Sequence, residues 1–357
     1  MRTLRRTAVC VLSALAVMLP LQFLIPAVAQ AATFTPLTLQ HGWTGAPLGT
    51  SNPAVANISG IIHFRGAMST TGTNPIAFTL PKAFRPAAAV SVPVDLCAAA
   101  HGGGRLLIQP NGVVTVQAET TFADAQCSTS LDGASFAKNA NLFTPLTLRN
   151  GWTGTPFGTS SAAVRAINGV VHFKGAIATG GTNPFPFTLP TAFRPATDVY
   201  VPLALGRCTR AGGAAKGRLF IQPSGVVMVQ AENSFADAQC LTSLDGASFA
   251  KNATSYTPLT LDNSWTGAPF STSIPAVRTI SGIVQLKGAM AGGANQFAFT
   301  LPVGFRPASD VFVPVDLCNA TEGGLRIETD GTVLVGATGS FSDAQCFTSL
   351  DGVSFAP

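Results

Sequence analysis

The sequence has few charged residues, and this scarcity limits what the chain can be. Charged residues make up 10% of the 357 residues, and hydrophobic residues make up 46%. Small isolated domains usually carry more charge, so we expect parts of the chain to bury surface against one another. After residue 31, no stretch is long and apolar enough to span a bilayer. The mature chain has no cluster of lysine and arginine residues of the kind that binds nucleic acids.

Histidine and tyrosine are also scarce, and this argues against two kinds of site. The chain has four histidines, and none follows His172, although serine hydrolase triads require this residue. It has two tyrosines, Tyr200 and Tyr256, which disfavours an aromatic carbohydrate site. We therefore predict no catalytic residues.

The main positive feature is a threefold internal repeat. The segment LTLQHGWTGAP at 37–47 returns at 146–156 and 259–269, and FTLPKAFRPA at 78–87 returns at 187–196 and 299–308. Trp43, Trp152 and Trp265 lie 109 and 113 residues apart, a period of domain size. We predict domains at 32–141, 142–254 and 255–357, called repeats 1, 2 and 3 below.

Residues 1–31 have the pattern of a secretory signal peptide. A basic start with Arg2, Arg5 and Arg6 precedes an apolar run that ends in a small-residue cleavage pattern. The leader holds three of the 21 basic residues and none of the 16 acidic ones, so the mature chain is close to +2. We expect a secreted, extracellular protein with no membrane span after signal cleavage.

The cysteines of the mature chain occur as one pair in each repeat. Such pairs in an exported protein predict one disulfide per domain, and a metal site would need further ligands that do not recur. We predict neither a bound metal nor a cofactor. The predicted pairs are Cys97 with Cys127, Cys208 with Cys240, and Cys318 with Cys346.

Short alternating runs between Gly, Pro and Asn predict an all-β fold. In the strand at 60–66, positions 62 and 64 stay apolar in all copies while positions 63 and 65 stay polar, which predicts one buried and one solvated face. Asn111-Gly112 predicts a two-residue hairpin turn. In this hairpin Leu106 and Ile108 are expected to face inward, because position 107 changes from Leu to Phe to Arg among the copies. Each repeat has room for seven or eight strands, and we expect three tandem antiparallel β-sandwich, jelly-roll-like domains.

Recurring acids fit structural roles better than catalysis. Asp132 precedes a glycine and is typical of a turn, and Asp124 is expected to cap a loop. A glycosidase would need two facing carboxylates, for which the sequence gives no indication.

Several residue sets are candidate binding groups, each with a structural alternative. The tryptophans could stack on a ligand or pack in a core, and the Phe-Arg-Pro arginines could bind a ligand or cap carbonyls. The glycine-rich loops after the first cysteine could carry specificity or could have drifted. The candidates are Trp43, Trp152, Trp265, Arg85, Arg194, Arg306, His101, Arg210, Lys216 and Glu322.

The order of these motifs resembles the C-terminal head domain of bacteriophage tail-fibre and related receptor-binding proteins. In repeat 1 the matching stretches are 37–45, 60–66, 78–87, 106–113 and 130–136. The resemblance implies compact β domains that work as homotrimers and bind cell-surface components. If the ancestral head is a trimer, three fused copies could form a single-chain pseudo-trimer, with an extended string of domains as the alternative. The signal peptide, the cysteine pairs and the covalent triplication depart from that family.

These observations favour a secreted, non-enzymatic binding or adhesion-type protein that presents three similar heads. Its partner would be a cell-surface or extracellular polymer or receptor, with carbohydrate as one candidate. The alternative is a structural protein of an extracellular layer that self-assembles through apolar domain faces. A hydrolase is the least favoured hypothesis.

Overall fold

The structure is a computed structural model that describes residues 32–97, 102–138, 142–206, 213–251 and 255–357. The predicted signal peptide lies outside the described residues. Within the described ranges, no helix has the length and apolar character needed to cross a membrane.

The fold is all-β and antiparallel, as predicted, and the described part of each repeat contains eleven strands. This is more than the seven or eight expected, because several pairings are only two or three residues long. Repeat 1 contains β1–β11, at Thr35–Pro36, Trp43–Gly45, Ala54–Ile58, Ile61–Arg65, Ala67–Thr70, Ile76–Thr79, Val90–Asp95, Gly103–Ile108, Val113–Ala118, Thr129–Ser130 and Ser135–Ala137. Repeat 2 contains β12–β22, at Thr144–Pro145, Trp152–Gly154, Ala163–Ile167, Val170–Lys174, Ala176–Thr179, Phe187–Thr188, Val199–Gly206, Ala214–Ile221, Val226–Ala231, Leu241–Ser243 and Ser248–Ala250. Repeat 3 contains β23–β33, at Thr257–Pro258, Thr266–Gly267, Ala276–Ile280, Ile283–Lys287, Ala289–Ala291, Phe297–Thr300, Val311–Asp316, Glu322–Ile327, Thr332–Ala337, Thr348–Ser349 and Ser354–Phe355.

A short helix follows the third long hairpin strand of each repeat. The helices are α1 (Phe122–Cys127), α2 (Ala236–Cys240) and α3 (Phe341–Cys346). At α1, Thr121 and Asp124 form a reciprocal capping box, so Asp124 caps a helix and not the predicted loop. Single 3₁₀ turns lie at Pro47–Gly49, Lys82–Phe84, Pro156–Gly158, Thr191–Phe193, Pro269–Ser271, Val303–Phe305 and Cys318–Ala320.

The same sheets recur in each repeat. Repeat 1 has sheets in the orders β1-β3-β4-β11, β10-β5-β2 and β6-β9-β8-β7, and repeat 3 has the corresponding three. In repeat 2 the second and third sheets join into one of seven strands, because β18 is long enough to pair with β21. Three hydrophobic cores lie between these sheets, and each draws its residues from one repeat.

The predicted hairpin forms, but its turn is one residue longer than predicted. Gly112 N donates to Gln109 O at 2.8 Å, which closes a β-turn with Pro110 at its second position. Gly112 has φ of 94°, whereas Asn111 does not have a positive φ. A type I turn followed by a left-handed glycine is the usual three-residue alternative to the two-residue hairpin.

Two of the three predicted disulfides lie within the described residues. Cys97 bonds to Cys127 with Cα atoms 5.1 Å apart, and Cys318 bonds to Cys346 with Cα atoms 5.7 Å apart. Cys208 lies outside the described residues, so its pairing with Cys240 stays a prediction. Each observed bridge ties a helix to the end of a long strand.

The prediction of one solvated face on the strand at 60–66 is wrong. Ile62 and Phe64 are buried as expected, but His63, His172 and Gln285 are only 8%, 9% and 7% exposed. The three polar side chains line one small cavity of about 30 Å³ together. The polar face is therefore covered by the other repeats and not by water.

Hydrogen bonds link the repeats in a cycle. Ser130 Oγ donates to Phe312 O, Ser243 Oγ donates to Ser91 O, and Ser349 Oγ donates to Tyr200 O, each at 2.6 Å. A second set runs between backbones, from Ala89 N to Gly158 O, Asp198 N to Ser271 O and Asp310 N to Gly49 O, at 3.1–3.2 Å. Each repeat thus contacts both of the others through equivalent atoms.

The strands β7, β18 and β29 pack pairwise against one another where the three repeats meet. Pro93, Pro202 and Pro314 occupy the same position in these strands and line the same small cavities, of about 10 and 20 Å³. The space between the repeats is closed at this level.

Candidate functional site

The three candidate tryptophans lie in the cores. Trp43, Trp152 and Trp265 are 4–5% exposed, and their indole N–H groups donate to the backbone oxygens of Asn74, Asn183 and Asn295 at 2.8–3.0 Å. Each ring also meets a phenylalanine edge-on, at 6.1–6.3 Å between centroids. Because their polar atoms are satisfied and their rings are covered, they do not form stacking platforms for a ligand.

The candidate arginines of Phe-Arg-Pro act on the backbone. Arg85 Nε donates to Leu80 O at 2.8 Å, and Arg194 and Arg306 make the same bond at 2.9 Å. The guanidinium also lies against the hairpin glycine, since a Cβ at Gly112 would come within 2.6 Å of Arg85 Nε. These arginines cap carbonyls and hold the hairpin turn.

Of the four loop candidates, two lie in the described residues and pair with each other. His101 and Arg210 lie outside them. Lys216 Nζ contacts the carboxylates of Glu322 and, at 3.3 Å, Glu119. Lys216 and Glu322 are buried, and burial lowers the pKa of Lys216 while its acidic neighbours oppose the shift. This cluster joins the three repeats and does not present a free charge to solvent.

The recurring Ser-Leu-Asp-Gly carboxylates are also structural. Asp132, Asp245 and Asp351 are buried, and each accepts a hydrogen bond from a glycine N–H of its own repeat at 2.9–3.1 Å. Burial raises the pKa of each of them to about 7, although that hydrogen bond acts to lower the pKa. Within the described ranges, no three His, Cys, Asp or Glu side chains lie close enough together to hold a metal ion.

A cleft of about 520 Å³ lies between repeats 1 and 3. One wall is the Pro47–Gly49 turn of repeat 1, which presents Leu48. The other is the outer face of the third repeat's sheet, at β29, β30 and β31. The lining residues are Leu48, Gln296, Phe312, Gly324, Leu325, Arg326, Leu334, Val335, Gly336 and Ala337.

The cleft is open because two cross-strand neighbours are glycines. Gly324 on β30 pairs with Gly336 on β31. The corresponding pair is Arg105 with Gln117 in repeat 1 and Arg218 with Gln230 in repeat 2. The third sheet therefore lacks two long side chains at the centre of the surface that faces repeat 1.

In the other repeats the arginine of this pair reaches across to the neighbouring repeat. Arg105 Nε donates to Gln117 Oε1 at 2.7 Å, and its Nη1 donates to Leu205 O of repeat 2 at 2.8 Å. Burial lowers the pKa of Arg105 to about 10. This interface is filled by a buried, hydrogen-bonded guanidinium.

The interface between repeats 2 and 3 is filled in the same way, with an added carboxylate. Arg218 Nε donates to Gln230 Oε1 at 2.6 Å. Its Nη1 donates to Asp316 Oδ2 at 2.9 Å and to Leu317 O at 3.0 Å. Burial raises the pKa of Asp316 to about 7, and the adjacent Arg218 opposes that shift.

Arg326, which lines the cleft, is paired with two carboxylates. Arg326 Nη2 contacts Asp310 Oδ2 at 2.9 Å and Glu328 Oε1 at 3.1 Å, so two carboxylates surround one guanidinium. The Arg326 guanidinium carbon also lies 5.9 Å from the centre of the Phe312 ring.

Leu48 is held at the cleft by an unusual backbone. It is 54% exposed and has φ of 56°, a left-handed conformation that side-chain-bearing residues seldom adopt. The equivalent Phe157 and Phe270 share this conformation and are 74% and 60% exposed. An exposed apolar side chain on a fixed turn is suited to contact with a partner.

The cleft was not predicted from the sequence, although a signal was present. Comparing the copies at position 105 gives Arg, Arg and Gly, and comparing them at position 117 gives Gln, Gln and Gly. The joint change shows that two side chains are lost together. That they fill an interface between repeats could not be seen without the cyclic contacts.

Comparison with known proteins provided no identification. No protein family, curated protein or solved structure matches this chain.

Proposed function

We propose that this chain is a secreted, non-enzymatic binding protein, and that the cleft between repeats 1 and 3 is its ligand site. The partner would be a cell-surface or extracellular polymer or receptor. The observation that carries the proposal is the cleft itself, since its volume of about 520 Å³ falls in the range of small-molecule and side-chain sites. The observed disulfides support an extracellular location.

We also propose that the three repeats form a single-chain pseudo-trimer. The cyclic serine and backbone hydrogen bonds support this arrangement, as do the three equivalent prolines that line common cavities. Because the repeats are fused, their association does not carry the entropic cost that three separate subunits would incur. Small-angle scattering of the mature chain should give a compact particle, and a maximum dimension near three domain lengths would contradict the proposal.

The resemblance to tail-fibre heads fits this proposal in one respect. The heads of that family work as homotrimers and bind cell-surface components. A fused trimer would keep that geometry while allowing the three interfaces to diverge, and the open cleft lies at the interface of repeats 1 and 3.

A structural protein of an extracellular layer is the second candidate, and the exposed phenylalanines on the 3₁₀ turns favour it. Phe157 and Phe270 present large apolar side chains to solvent at equivalent positions. Such exposed apolar side chains could form contacts between copies of the chain. This candidate predicts oligomers that grow with concentration.

The proposed function can be tested by binding of the mature chain to glycan arrays, isolated cell walls and extracellular protein extracts. The key comparison is a filled variant, Gly324→Arg with Gly336→Gln, which restores the pair present in repeats 1 and 2. We expect the filled variant to bind at least about tenfold more weakly. Gly304→Arg is the matched control, because Gly304 is exposed on the same repeat and open space surrounds it.

Each outcome separates the candidates. Loss of binding in the filled variant, with binding kept in the Gly304→Arg control, supports the cleft. Equal binding by both variants would place the site elsewhere. Concentration-dependent oligomers without binding to any surface would favour the structural-layer candidate.

A further inference from the structure

We propose that the small cavity at His63, His172 and Gln285 binds a small inorganic anion of the size of chloride. The cavity lies where the strands β4, β15 and β26 of the three repeats meet, and it is separate from the cleft proposed as the ligand site. The basis is geometric, since three polar side chains, one from each repeat, line the same space.

These three side chains are buried without hydrogen-bond partners. Each is more than nine-tenths buried. Among the residues that the structure describes, neither the two imidazoles nor the Gln285 amide makes a hydrogen bond. Buried polar groups of native proteins are nearly always hydrogen-bonded to protein, water or an ion. Three such groups around one cavity therefore indicate a ligand between them.

At neutral pH all three side chains offer N–H donors. Burial lowers the pKa of His63 to about 4 and that of His172 to about 3. Both imidazoles are therefore neutral, and each carries one N–H group, while the amide of Gln285 carries two. Donors that approach from three repeats suit a spherical anion, which has no preferred direction of bonding.

The charges around the cavity favour an anion over a cation. None of the described residues that line it is an aspartate or a glutamate. Arg165 does not line the cavity, but it is the cross-strand neighbour of His172, and together with His63 it lowers the pKa of His172 further. Arg278 is the cross-strand neighbour of Gln285. Since cross-strand neighbours lie on the same face of a sheet, both guanidiniums place positive charge beside the cavity.

The next row of cations along these strands has carboxylates beside it. Arg65, Lys174 and Lys287 each lie two residues beyond the polar side chain of their own strand. Each of them lowers the pKa of a buried aspartate of the same repeat. Because those charges are opposed, the excess positive potential at the cavity comes from Arg165 and Arg278.

The size and entrance of the cavity suit a single small ion. Its volume is about 30 Å³, which is room for one or two particles of the size of water. The exposed turn residues Ser59, Asn168 and Ser281 also line it and mark its entrance. Asn168 Nδ2 donates to Ser281 Oγ at 3.2 Å, which joins the turns of repeats 2 and 3 there. Chloride or bromide fits this space, and a larger organic anion does not.

Chloride-35 NMR of the mature chain at neutral pH tests the proposal, because chloride in exchange with a protein site gives a broadened signal. Sodium chloride is titrated at constant ionic strength, with sodium gluconate making up the balance. We expect broadening that saturates and that bromide removes by competition. Gluconate is the negative probe, because it is larger than the cavity.

Two matched double variants decide whether the polar side chains bind the ion. His63→Leu with His172→Leu removes both imidazole donors, and we expect it to weaken chloride binding at least about tenfold. His63→Gln with His172→Gln is the control, because it gives all three repeats the side chain of Gln285 and keeps an N–H donor at each position. It should bind chloride within about threefold of the unsubstituted chain. Circular dichroism checks that both variants fold.

Arg165→Gln tests the electrostatic contribution and keeps the proposal testable if the leucine variant does not fold. Removing this cation should weaken chloride binding about threefold. Arg149→Gln is its control, because Arg149 is an exposed arginine of the same repeat that lies outside β14 and β15. This variant should bind chloride as the unsubstituted chain does.

Several outcomes would overturn the proposal. Broadening that does not saturate, or that the leucine variant retains, would mean that the cavity holds water only. Loss of binding in the glutamine variant, or an equal effect of Arg165→Gln and Arg149→Gln, would contradict the assigned donors and charges. Calorimetric binding of zinc sulfate that is lost in the leucine variant and unaffected by chloride would make the imidazoles metal ligands instead. None of these outcomes bears on the proposed function, which the filled variant tests separately.

Discussion

Two interfaces of this molecule are filled and the third is open, although all three use the same strands. At the interfaces of repeat 1 with 2 and of repeat 2 with 3, an arginine and a glutamine close the outer region. Between repeats 3 and 1, glycines occupy both positions. The inner serine hydrogen bonds are the same at all three interfaces. The comparison separates the contacts that assemble the repeats from those that can vary without loss of assembly.

Removing the arginine of a filled interface should have the largest effect. Arg218→Ala leaves the buried Asp316 without its cationic partner, which should lower the free energy of unfolding by about 3–5 kcal/mol. Urea denaturation at neutral pH measures this change. Arg326→Ala is the control, because Arg326 makes its ion pairs at the exposed rim and should cost less than about 1 kcal/mol.

The double variant Arg218→Ala with Asp316→Ala sharpens the result. It removes the stranded carboxylate and reproduces the alanine that repeat 2 has at position 204. We expect it to recover part of the lost stability. A cost for Arg218→Ala that matches the Arg326→Ala control would show that the filled interface does not depend on its guanidinium.

The buried histidines predict a dependence of stability on pH. Burial lowers the pKa of His63 to about 4 and that of His172 to about 3. The unfolded chain takes up protons on these side chains near pH 6.5, but the folded chain does not, so the folded state loses stability as the pH falls from about 6.5 toward 4. The loss should be about 2 kcal/mol for each histidine at a pH of about 5.

His63→Gln with His172→Gln provides the test, because repeat 3 already has Gln285 at this position. Urea denaturation of the variant and the unsubstituted chain at neutral and acidic pH gives the difference between the two proteins. That difference cancels the opposite contribution of the buried aspartates, whose raised pKa values favour the folded state at low pH. A difference that is the same at both pH values would contradict the prediction.

Removing an inner serine hydrogen bond should lower the stability of the fold by a smaller amount, and by the same amount at each interface. Ser243→Ala removes the donor to Ser91 O and leaves a buried carbonyl without that bond, at a cost of about 1–2 kcal/mol. Ser130→Ala, beside the open cleft, should cost the same. Thermal denaturation of both variants checks this, with the exposed Thr153→Ala as the control. A much smaller cost for Ser130→Ala would mean that the third interface is loose throughout.

The sequence predicted the all-β fold and the buried positions of the long hairpin, because both follow from alternation and turn residues. Leu106 and Ile108 are fully buried, as the comparison of copies indicated. The helix at Phe122–Cys127 was missed, since six residues are too few for a helical period to emerge. Its capping residues Thr121 and Asp124 were the available signal.

The site could not be predicted in the same way, because its walls come from different repeats. Leu48 and Phe312 are about 260 residues apart in the chain, and no local pattern connects them. The polar face at His63 was assigned to solvent for the same reason, since burial by another repeat leaves the local alternation unchanged. Conversely, the tryptophans and the Phe-Arg-Pro arginines were predicted as candidate binding residues, but their side chains bond to the backbone of their own repeat and stabilise the fold.

The charge cluster of Lys216, Glu322 and Glu119 restricts the order in which the three repeats can follow one another along the chain. Lys216, Glu322 and Gly103 occupy the same position in the three repeats, and Glu322 occupies the space that a side chain at Gly103 would need. A circular permutant that runs 2-3-1 keeps every neighbour. An order of 2-1-3 reverses all three neighbour relations and separates each arginine from its carbonyl. Three identical subunits could not place a lysine, a glutamate and a glycine at one such position, so this junction requires repeats that differ in sequence.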